Sequence, residues 1–290
     1  MVRFRLPRHY VPRNDWTLFH YAETKNLAPE GVSQEWNDEV IHSQPAGAVY
    51  NSIFDSYYQV IKDLFSATQI LWMFMKVFRL LNTEQIQTLN QAIQNLEFED
   101  GKNSAYGSAK KIKQNFQVFE SNPDAAHIFR SLRSTIFQND YIANYAFPQQ
   151  VVSPRIASYK DGGHYGWHVD KALMNGLRTD LSFTLMLSGD YEGGNLEFDT
   201  GISKHSIQLQ PGEMIVYPTG VLHQVTPVTK GERLCIVGWI QSAVKSHDDR
   251  ELLFKMAREI ARLRDQYFTD QDELTELNYL YTQFLRRLAD

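Results

Sequence analysis

The chain has 290 residues, of which 43% are hydrophobic and 22% charged, a composition typical of a folded globular protein rather than a disordered one. Its net charge of -5 provides no broad basic surface, which argues against nucleic-acid binding. The single cysteine, Cys235, cannot form an intramolecular disulfide, and no apolar run has the length of a signal peptide or membrane span, so we expect a cytoplasmic protein.

The first part of the chain carries few signals of regular structure. Residues 1–69 are predicted to form an N-terminal extension of unknown role, because residues 1–48 lack periodicity and scatter Pro, Gly, Asn and Asp. One short amphipathic helix is expected over residues 53–65. The apolar run Ile70–Leu80 contains Lys76 and is too short to span a bilayer, so we expect a buried strand there.

Helical signals follow this run. Residues 83–145 are expected to form a mainly helical support for the rest of the domain. A polar start at residues 82–84 opens a helix that runs to about residue 96. Residues 100–117 are polar and predict a loop with a short strand, and residues 123–145 are predicted to be helical again.

Helical periodicity returns at the end of the chain. Residues 243–290 contain two amphipathic segments, which we expect to form helices packed on the preceding domain. The apolar stripe from Leu277 to Leu288 is typical of packing within one chain. A homodimer contact through this stripe is the alternative.

Residues 152–242 show a different pattern, of short apolar or alternating runs separated by Gly, Pro and Asp clusters. The candidate strands are residues 154–160, 181–188, 194–199, 204–209, 213–217, 222–228 and 233–241. Strands at this spacing predict a double-stranded β-helix, or jelly roll. We therefore expect a mainly β fold with flanking helices, in a domain that covers residues 70–242.

Two histidines and one aspartate form a candidate metal site within these strands. His168 and Asp170 alternate on an extended segment, so both side chains point to one face. His223 follows on a later strand and could complete a set of two imidazoles and one carboxylate, which suits Fe(II) and leaves positions open. A second His-x-Asp pattern at residues 247–249 has no histidine after it and is interpreted as a helix start.

A candidate anion site lies ten residues beyond the last histidine. Arg233 begins the next strand, and its guanidinium could bind the distal carboxylate of a dicarboxylate in a two-point contact. Strand alternation places further side chains on the faces that would line one pocket. They are Cys235, Val237 and Trp239 after Arg233, Val225 beside His223, the group Ser182, Thr184 and Met186, and Tyr159.

These residues stand in stretches that resemble the PKHD-type hydroxylases, Fe(II)- and 2-oxoglutarate-dependent dioxygenases of the prolyl 4-hydroxylase-like superfamily. The matching stretches are YKDGGHYGWHVD, LRTDLSFTLMLS, DYEGGNLEF, PGEMIVYPTGVLHQVTPVTKGER and WIQS. The resemblance covers residues 75–290. It differs at Cys235, where many relatives carry a small hydroxyl residue.

The resemblance implies a reaction, its cofactors and its site residues. Iron is implied at His168, Asp170 and His223, with 2-oxoglutarate on Arg233 and with pocket roles for three further residues. These three residues are Tyr159, Thr184 and Trp239. O2 is the second cosubstrate, and L-ascorbate is a candidate reductant. The products are succinate, CO2 and a hydroxylated prolyl or lysyl side chain or small metabolite.

The alternative function is a non-catalytic jelly-roll sensor that holds iron or a dicarboxylate without turnover, because fold alone does not determine function.

Overall fold

The computed structural model describes residues 75–105, 107–266 and 271–289. The predicted extension over residues 1–69, including its helix at 53–65, lies outside these ranges. Within them, no helix is long and apolar enough to cross a membrane.

The larger of two β-sheets has seven strands. They are β1 (Lys76–Arg79), β2 (Glu99–Asp100), β4 (Phe116–Phe119), β5 (Pro148–Tyr159), β9 (Leu181–Met186), β13 (Glu213–Pro218) and β16 (Arg233–Ser242). Their order across the sheet is β1-β13-β9-β16-β5-β4-β2, and every neighbouring pair is antiparallel. The long central strands β5 and β16 therefore carry the residues at the middle of the sheet.

The smaller sheet has five strands. They are β3 (Lys113–Gln114), β6 (His164–His168), β11 (Leu196–Asp199), β12 (Lys204–Ile207) and β14 (Leu222–Val225), and their order across the sheet is β12-β11-β14-β6-β3. Two small two-stranded sheets complete the β structure. One is a hairpin of β7 (Leu173–Met174) and β8 (Leu177–Arg178), and the other pairs β10 (Tyr191–Gly193) with β15 (Val228–Gly231).

The two sheets pack face to face around a shared apolar cluster. Its members from the larger sheet include Ala157, Ile215 and Cys235, and those from the smaller sheet include Phe198 and Val225. Two antiparallel sheets joined by one interior layer form a jelly roll, so the predicted fold class is confirmed.

Helices cover the other face of the larger sheet. They are α1 (Thr83–Ile93), α2 (Ala126–Gln138), α3 (Asp140–Ala146) and α4 (His247–Gln266), and α5 (Gln271–Leu288) packs against α4. A second apolar cluster joins the helix residues Ile93 and Phe129 to the strand residues Phe183 and Ile236. Because strand side chains alternate between faces, the larger sheet separates this cluster from the one between the sheets.

The strands of the sheets differ from the predicted ones in several places. Strand β5 begins at Pro148 rather than at residue 154, and β7, β8 and β10 were not among the candidates. Strand β6, which carries His168, was not among the candidates. The candidate at 222–228 is divided between β14 and β15. Strands β2, β3 and β4 come from the segment 83–145, which was expected to be mainly helical, and they join both sheets. The domain limits at 70 and 242 stay a prediction.

The second His-x-Asp pattern opens a helix, as expected. His247 is the first residue of α4, and Asp248 and Asp249 lie in its first turn. Negative charge is favoured there because the N-terminal end of a helix carries partial positive charge. This pattern therefore has a structural explanation without a metal.

A buried ion pair joins the first strand to helix α4. Lys76 Nζ lies 2.9 Å from Glu251 Oε1, and both residues are buried. Burial lowers the pKa of Lys76, while Glu251 opposes that shift by stabilising the ammonium. A buried charge pair of this kind depends on both partners.

Replacing Glu251 with Gln is expected to lower the free energy of unfolding by about 3 kcal/mol, because Lys76 loses its partner inside the protein. The double variant Lys76→Met/Glu251→Leu should recover most of the loss, and urea denaturation followed by circular dichroism measures both. Glu259→Gln, which breaks an exposed pair on the same helix, should change stability by less than about 0.5 kcal/mol. An equal loss in the double variant would contradict the interpretation.

Candidate metal centre

The pairing of β6 with β14 brings the two candidate histidines together. His168 lies directly opposite His223 in this pair, and Asp170 follows just after β6 ends. His168 Nε2 lies 3.6 Å from Asp170 Oδ1, and His223 Nε2 lies 3.7 Å from Asp170 Oδ2. A metal about 2.1 Å from each donor separates neighbouring donors by about 3 to 4 Å. The three side chains therefore fit around one ion.

Backbone carbonyls determine which nitrogen of each imidazole is free. His168 Nδ1 is 2.8 Å from the carbonyl oxygen of Gly166, and His223 Nδ1 is 2.9 Å from that of Val221. A carbonyl only accepts hydrogen bonds, so each Nδ1 carries the hydrogen. Both Nε2 lone pairs therefore face the space between the three side chains. Metal-binding histidines are commonly oriented in this way, by a hydrogen bond from the ring nitrogen that does not bind the metal.

The environment of His168 favours its neutral form. Burial, together with the neighbouring imidazole of His223, lowers the pKa of His168 to about 4. The ring of Tyr165 stacks on His168 with the centroids 3.5 Å apart. Since a metal binds neutral imidazole, this histidine is ready to coordinate at neutral pH without first losing a proton.

Two donors hold the carboxylate of Asp170. Ser182 Oγ and Trp239 Nε1 each donate a hydrogen bond to Asp170 Oδ2, both at 2.9 Å. The other oxygen, Oδ1, has no such bond among the described residues and is left for a metal. The sequence grouped Trp239 with the cosubstrate residues, but the structure places its indole N–H on the aspartate. Its contact is therefore with a candidate metal ligand.

The triad opens into a cavity of about 500 Å³ between the two sheets. Its lining includes the seven site residues that the resemblance implied, namely His168, Asp170, His223, Arg233, Tyr159, Thr184 and Trp239. Ser182, Val225 and Val237 also line it, whereas Cys235 and Met186, which strand alternation placed on the same faces, do not. Thr184 is buried on the inner face of β9, opposite Val237 of β16. A small molecule bound here would contact the metal centre and the candidate anion site at once.

Arg233 is a buried cation without a carboxylate partner in the described part of the chain. The residue is only 1% exposed, Nη1 donates to Cys235 Sγ at 3.0 Å, and Nε has no hydrogen-bond partner there. The guanidinium carbon lies 5.2 Å from the ring centroid of Tyr159. An unneutralised buried charge is costly. Arg233 is therefore arranged to receive an anion.

The paired glycines of the sequence DYEGGNLEF allow this arrangement. Gly194 has a φ of +62°, and a Cβ built on it would lie 2.8 Å from Val228 Cγ2 and 3.0 Å from Arg233 Cδ. A larger residue would have to displace the arginine or the valine side chain. The glycine thus lets the backbone pass close to the anion site.

Lys113 is the main cavity residue that the sequence analysis missed. It is 4% exposed, Nζ donates to Ser104 Oγ at 2.7 Å, and it lies 4.8 Å from the ring centroid of Tyr165. No carboxylate in the described part of the chain forms an ion pair with it. Burial lowers its pKa to about 7, and the positive charge of Arg155 adds to the shift.

In the segment around Lys113, the burial of alternate residues is the reverse of what their polarity predicts. In the segment predicted as a polar loop, Lys113, Asn115 and Gln117 are buried, while Phe116 is 45% exposed. The polar residues therefore face inward. Sequence pattern alone would place the phenylalanine inside, so the reversal becomes visible only when β3 and β4 join the two sheets.

Comparison with known proteins gives this fold and site a family. The profile of the 2OG-Fe(II) oxygenase superfamily matches residues 154–241. A PKHD-type hydroxylase of Alteromonas mediterranea is 33% identical over 72% of this chain and 96% of its own length. One of Saccharophagus degradans is 35% identical over 75% and 99%. The chain belongs to the PKHD-type hydroxylases.

This membership also gives the class of reaction. The chain is an Fe(II)- and 2-oxoglutarate-dependent dioxygenase, so the resemblance seen in the sequence is confirmed and the non-catalytic sensor is not supported. Among solved structures, a prolyl-4-hydroxylase of Pseudomonas putida is 18% identical, with a TM-score of 0.45 over 59% of this chain and 95% of that one.

Trp239→Phe is expected to weaken Fe(II) binding about tenfold, because it removes one hydrogen bond that holds Asp170. Anaerobic Fe(II) titration measures the affinity. Trp167→Phe is the matched control, since Trp167 lies beside Lys204 and outside the cavity lining. Equal affinities in the Trp239 variant and the wild type would show that Ser182 alone holds the carboxylate.

Lys113→Met is expected to stabilise the metal-free protein, and more so at low pH. Below about pH 7 the folded protein carries a buried ammonium, whereas between pH 7 and 10.5 only the unfolded chain binds that proton, so wild-type stability rises with pH. The variant should melt at least about 2 °C above the wild type at pH 6, with a smaller difference at pH 9.5. Calorimetry measures both.

Lys111→Met is the control for this comparison, since Lys111 is exposed two residues earlier. Its melting temperature should follow the wild type at both pH values. A Lys113 variant that melts at or below the wild-type temperature at pH 6 would show that the buried ammonium carries no cost.

Proposed function

We propose that His168, Asp170 and His223 bind Fe(II) and that Arg233 binds the distal carboxylate of 2-oxoglutarate. The observation that carries this assignment is the buried Arg233 guanidinium without a carboxylate partner in the described part of the chain, lining the same cavity as the triad. A dicarboxylate would supply the missing counter-charge at one end and a metal ligand at the other.

The residues around Arg233 suit a bound acid. Tyr159 is buried beneath the guanidinium, and burial raises the pKa of its phenol, so the hydroxyl remains a hydrogen-bond donor. Thr184 lies on the neighbouring strand with its side chain toward the cavity. We assign both residues to the 2-oxoglutarate pocket. Tyr159 is the stronger candidate because it contacts the arginine.

The protein's own contribution is to bind, orient and exclude water. Bound Fe(II) and 2-oxoglutarate supply the oxidation, in which 2-oxoglutarate becomes succinate and CO2 and one oxygen atom of O2 enters the substrate. Ser182 and Trp239 orient Asp170, and side chains of the apolar cluster between the sheets line part of the cavity. Asp170 occupies the position that a halide would need, which favours hydroxylation over halogenation.

Several finer assignments stay predictions. L-Ascorbate is proposed as the reductant that maintains Fe(II), and the cytoplasm as the compartment. The substrate is a prolyl or lysyl side chain or a small metabolite. A homodimer through α5 is consistent with three exposed apolar side chains on that helix, namely Tyr279, Leu280 and Phe284.

Arg233→Ala should raise the apparent KM for 2-oxoglutarate by roughly 30-fold or more, because removing one partner of a buried charge-assisted pair costs about 2 kcal/mol or more. Arg233→Lys should recover only part of the loss, since an ammonium keeps the charge but not the two-point contact. Succinate release against 2-oxoglutarate concentration measures both variants.

A companion variant separates the cosubstrate site from the metal site. His223→Ala should lose at least tenfold in Fe(II) affinity by anaerobic titration, whereas Arg233→Ala should bind Fe(II) nearly as the wild type does. A wild-type KM for 2-oxoglutarate in Arg233→Ala would place the carboxylate elsewhere and overturn the assignment.

A further inference from the structure

The cavity has two ends, set by the pairing of β5 with β16. At one end Arg233 lies opposite Tyr159, and at the other Val237 lies opposite Arg155. Arg155 and Tyr159 are four residues apart on one strand, which is about 13 Å. Arg233 at the first end is assigned to 2-oxoglutarate, so the second end is left for the molecule that is hydroxylated.

Hydrogen bonds and strand pairing connect Lys113 to this second end. Its ammonium donates to Ser104 Oγ, and Ser104 Oγ is 2.9 Å from Gln117 Oε1. Gln117 belongs to β4, where the following inward residue, Phe119, lies opposite Arg155. The guanidinium of Arg155 lies 5.6 Å from the ring centroid of Phe119. Two cationic side chains thus border one part of the cavity.

The charges that line the cavity do not balance. Its described lining contains two buried cations that form no ion pair with a carboxylate among the described residues, Lys113 and Arg233, and a single carboxylate, that of Asp170. The two negative charges of 2-oxoglutarate offset the two positive charges of Fe(II), and Asp170 offsets one cation. An excess positive charge therefore remains with both partners bound, and Lys113 carries part of it in a buried position.

On the basis of the proposed function, we propose that the substrate carries a carboxylate and that Lys113 binds it at the Arg155 end of the cavity. A buried ammonium that donates to a serine hydroxyl gains a stronger, charge-assisted hydrogen bond from such a group. The positive lining also opposes a lysyl side chain, whose ammonium has the same sign. A carboxylate near the hydroxylated carbon fits the lining better.

The cosubstrate does not account for Lys113. The distal carboxylate of 2-oxoglutarate is assigned to Arg233 and its other carboxylate to the metal, so both of its charges are already used. A buried ammonium without an ion pair is costly to the fold, and Lys113 has no such pair within the described residues. A role in binding the second substrate gives a reason for the residue.

The test compares acids with their amides. The wild-type protein, loaded with Fe(II) and 2-oxoglutarate, is incubated with two pairs of pools. The first pair is free L-amino acids and their α-amides. The second pair is blocked peptides with a central proline, flanked either by Glu and Asp or by Gln and Asn. Binding is read anaerobically as a shift in melting temperature. Turnover is read aerobically as a product 16 Da heavier.

The expected result is an acid that reaches half-saturation at a concentration at least tenfold below that of its amide. If this difference appears among the free amino acids, the substrate is a small acid. If it appears among the peptides, the substrate carries an acidic residue beside the target. Equal responses to acids and amides, a preference for amides, or no response in either pair of pools would overturn the proposal.

Variants of Lys113 locate the preference. Lys113→Met should raise the half-saturating concentration of the acid at least tenfold, and Lys113→Arg should recover part of it. Lys111→Met, at an exposed position two residues earlier, should remain within twofold of the wild type. An unchanged response in Lys113→Met would show that the carboxylate binds elsewhere in the cavity.

The same samples separate this proposal from the assigned reaction. Anaerobic binding of Fe(II) and then of 2-oxoglutarate to the wild type, measured without any added substrate, reports the proposed function alone. Its absence would mean that the proposed function fails. Binding of both without any preference for acids would overturn only the assignment of Lys113.

Discussion

The site depends on the antiparallel pairing of β6 with β14. This pairing places His168 opposite His223. The backbone carbonyl two residues before each histidine orients its ring so that Nε2 faces the carboxylate of Asp170. Ser182 and Trp239, from the other sheet, hold the carboxylate of Asp170 beside the two histidines. The candidate metal centre therefore uses residues of both sheets.

Because side chains alternate along a strand, one face of β16 contributes to the core and the other face lines the candidate site. On β16, Ile236 and Ile240 pack toward the helices, while Arg233 and Trp239 face the cavity. The same strand therefore packs against the helical layer and carries the candidate anion site. A shift of one residue in its register would exchange the two sets and remove both functions.

The buried cations of the described residues differ in whether a carboxylate partner neutralises them. Lys76 has Glu251 as its partner, and the pair joins a strand to a helix. Arg233 and Lys113 have no carboxylate partner in the described part of the chain and both line the cavity. Because an unpaired buried charge is costly, the latter two are best explained by ligands that bring the opposite charge.

The sequence by itself determined the jelly roll and the residues of the candidate centre, because alternation, turn residues and the spacing of His168, Asp170, His223 and Arg233 are local properties of the chain. It did not indicate the strand that carries His168. The role of Trp239 toward Asp170 and the inward position of Lys113 were decided only by the tertiary structure. These contacts join segments distant in sequence, and which face of a short polar strand is buried depends on the sheet that it joins.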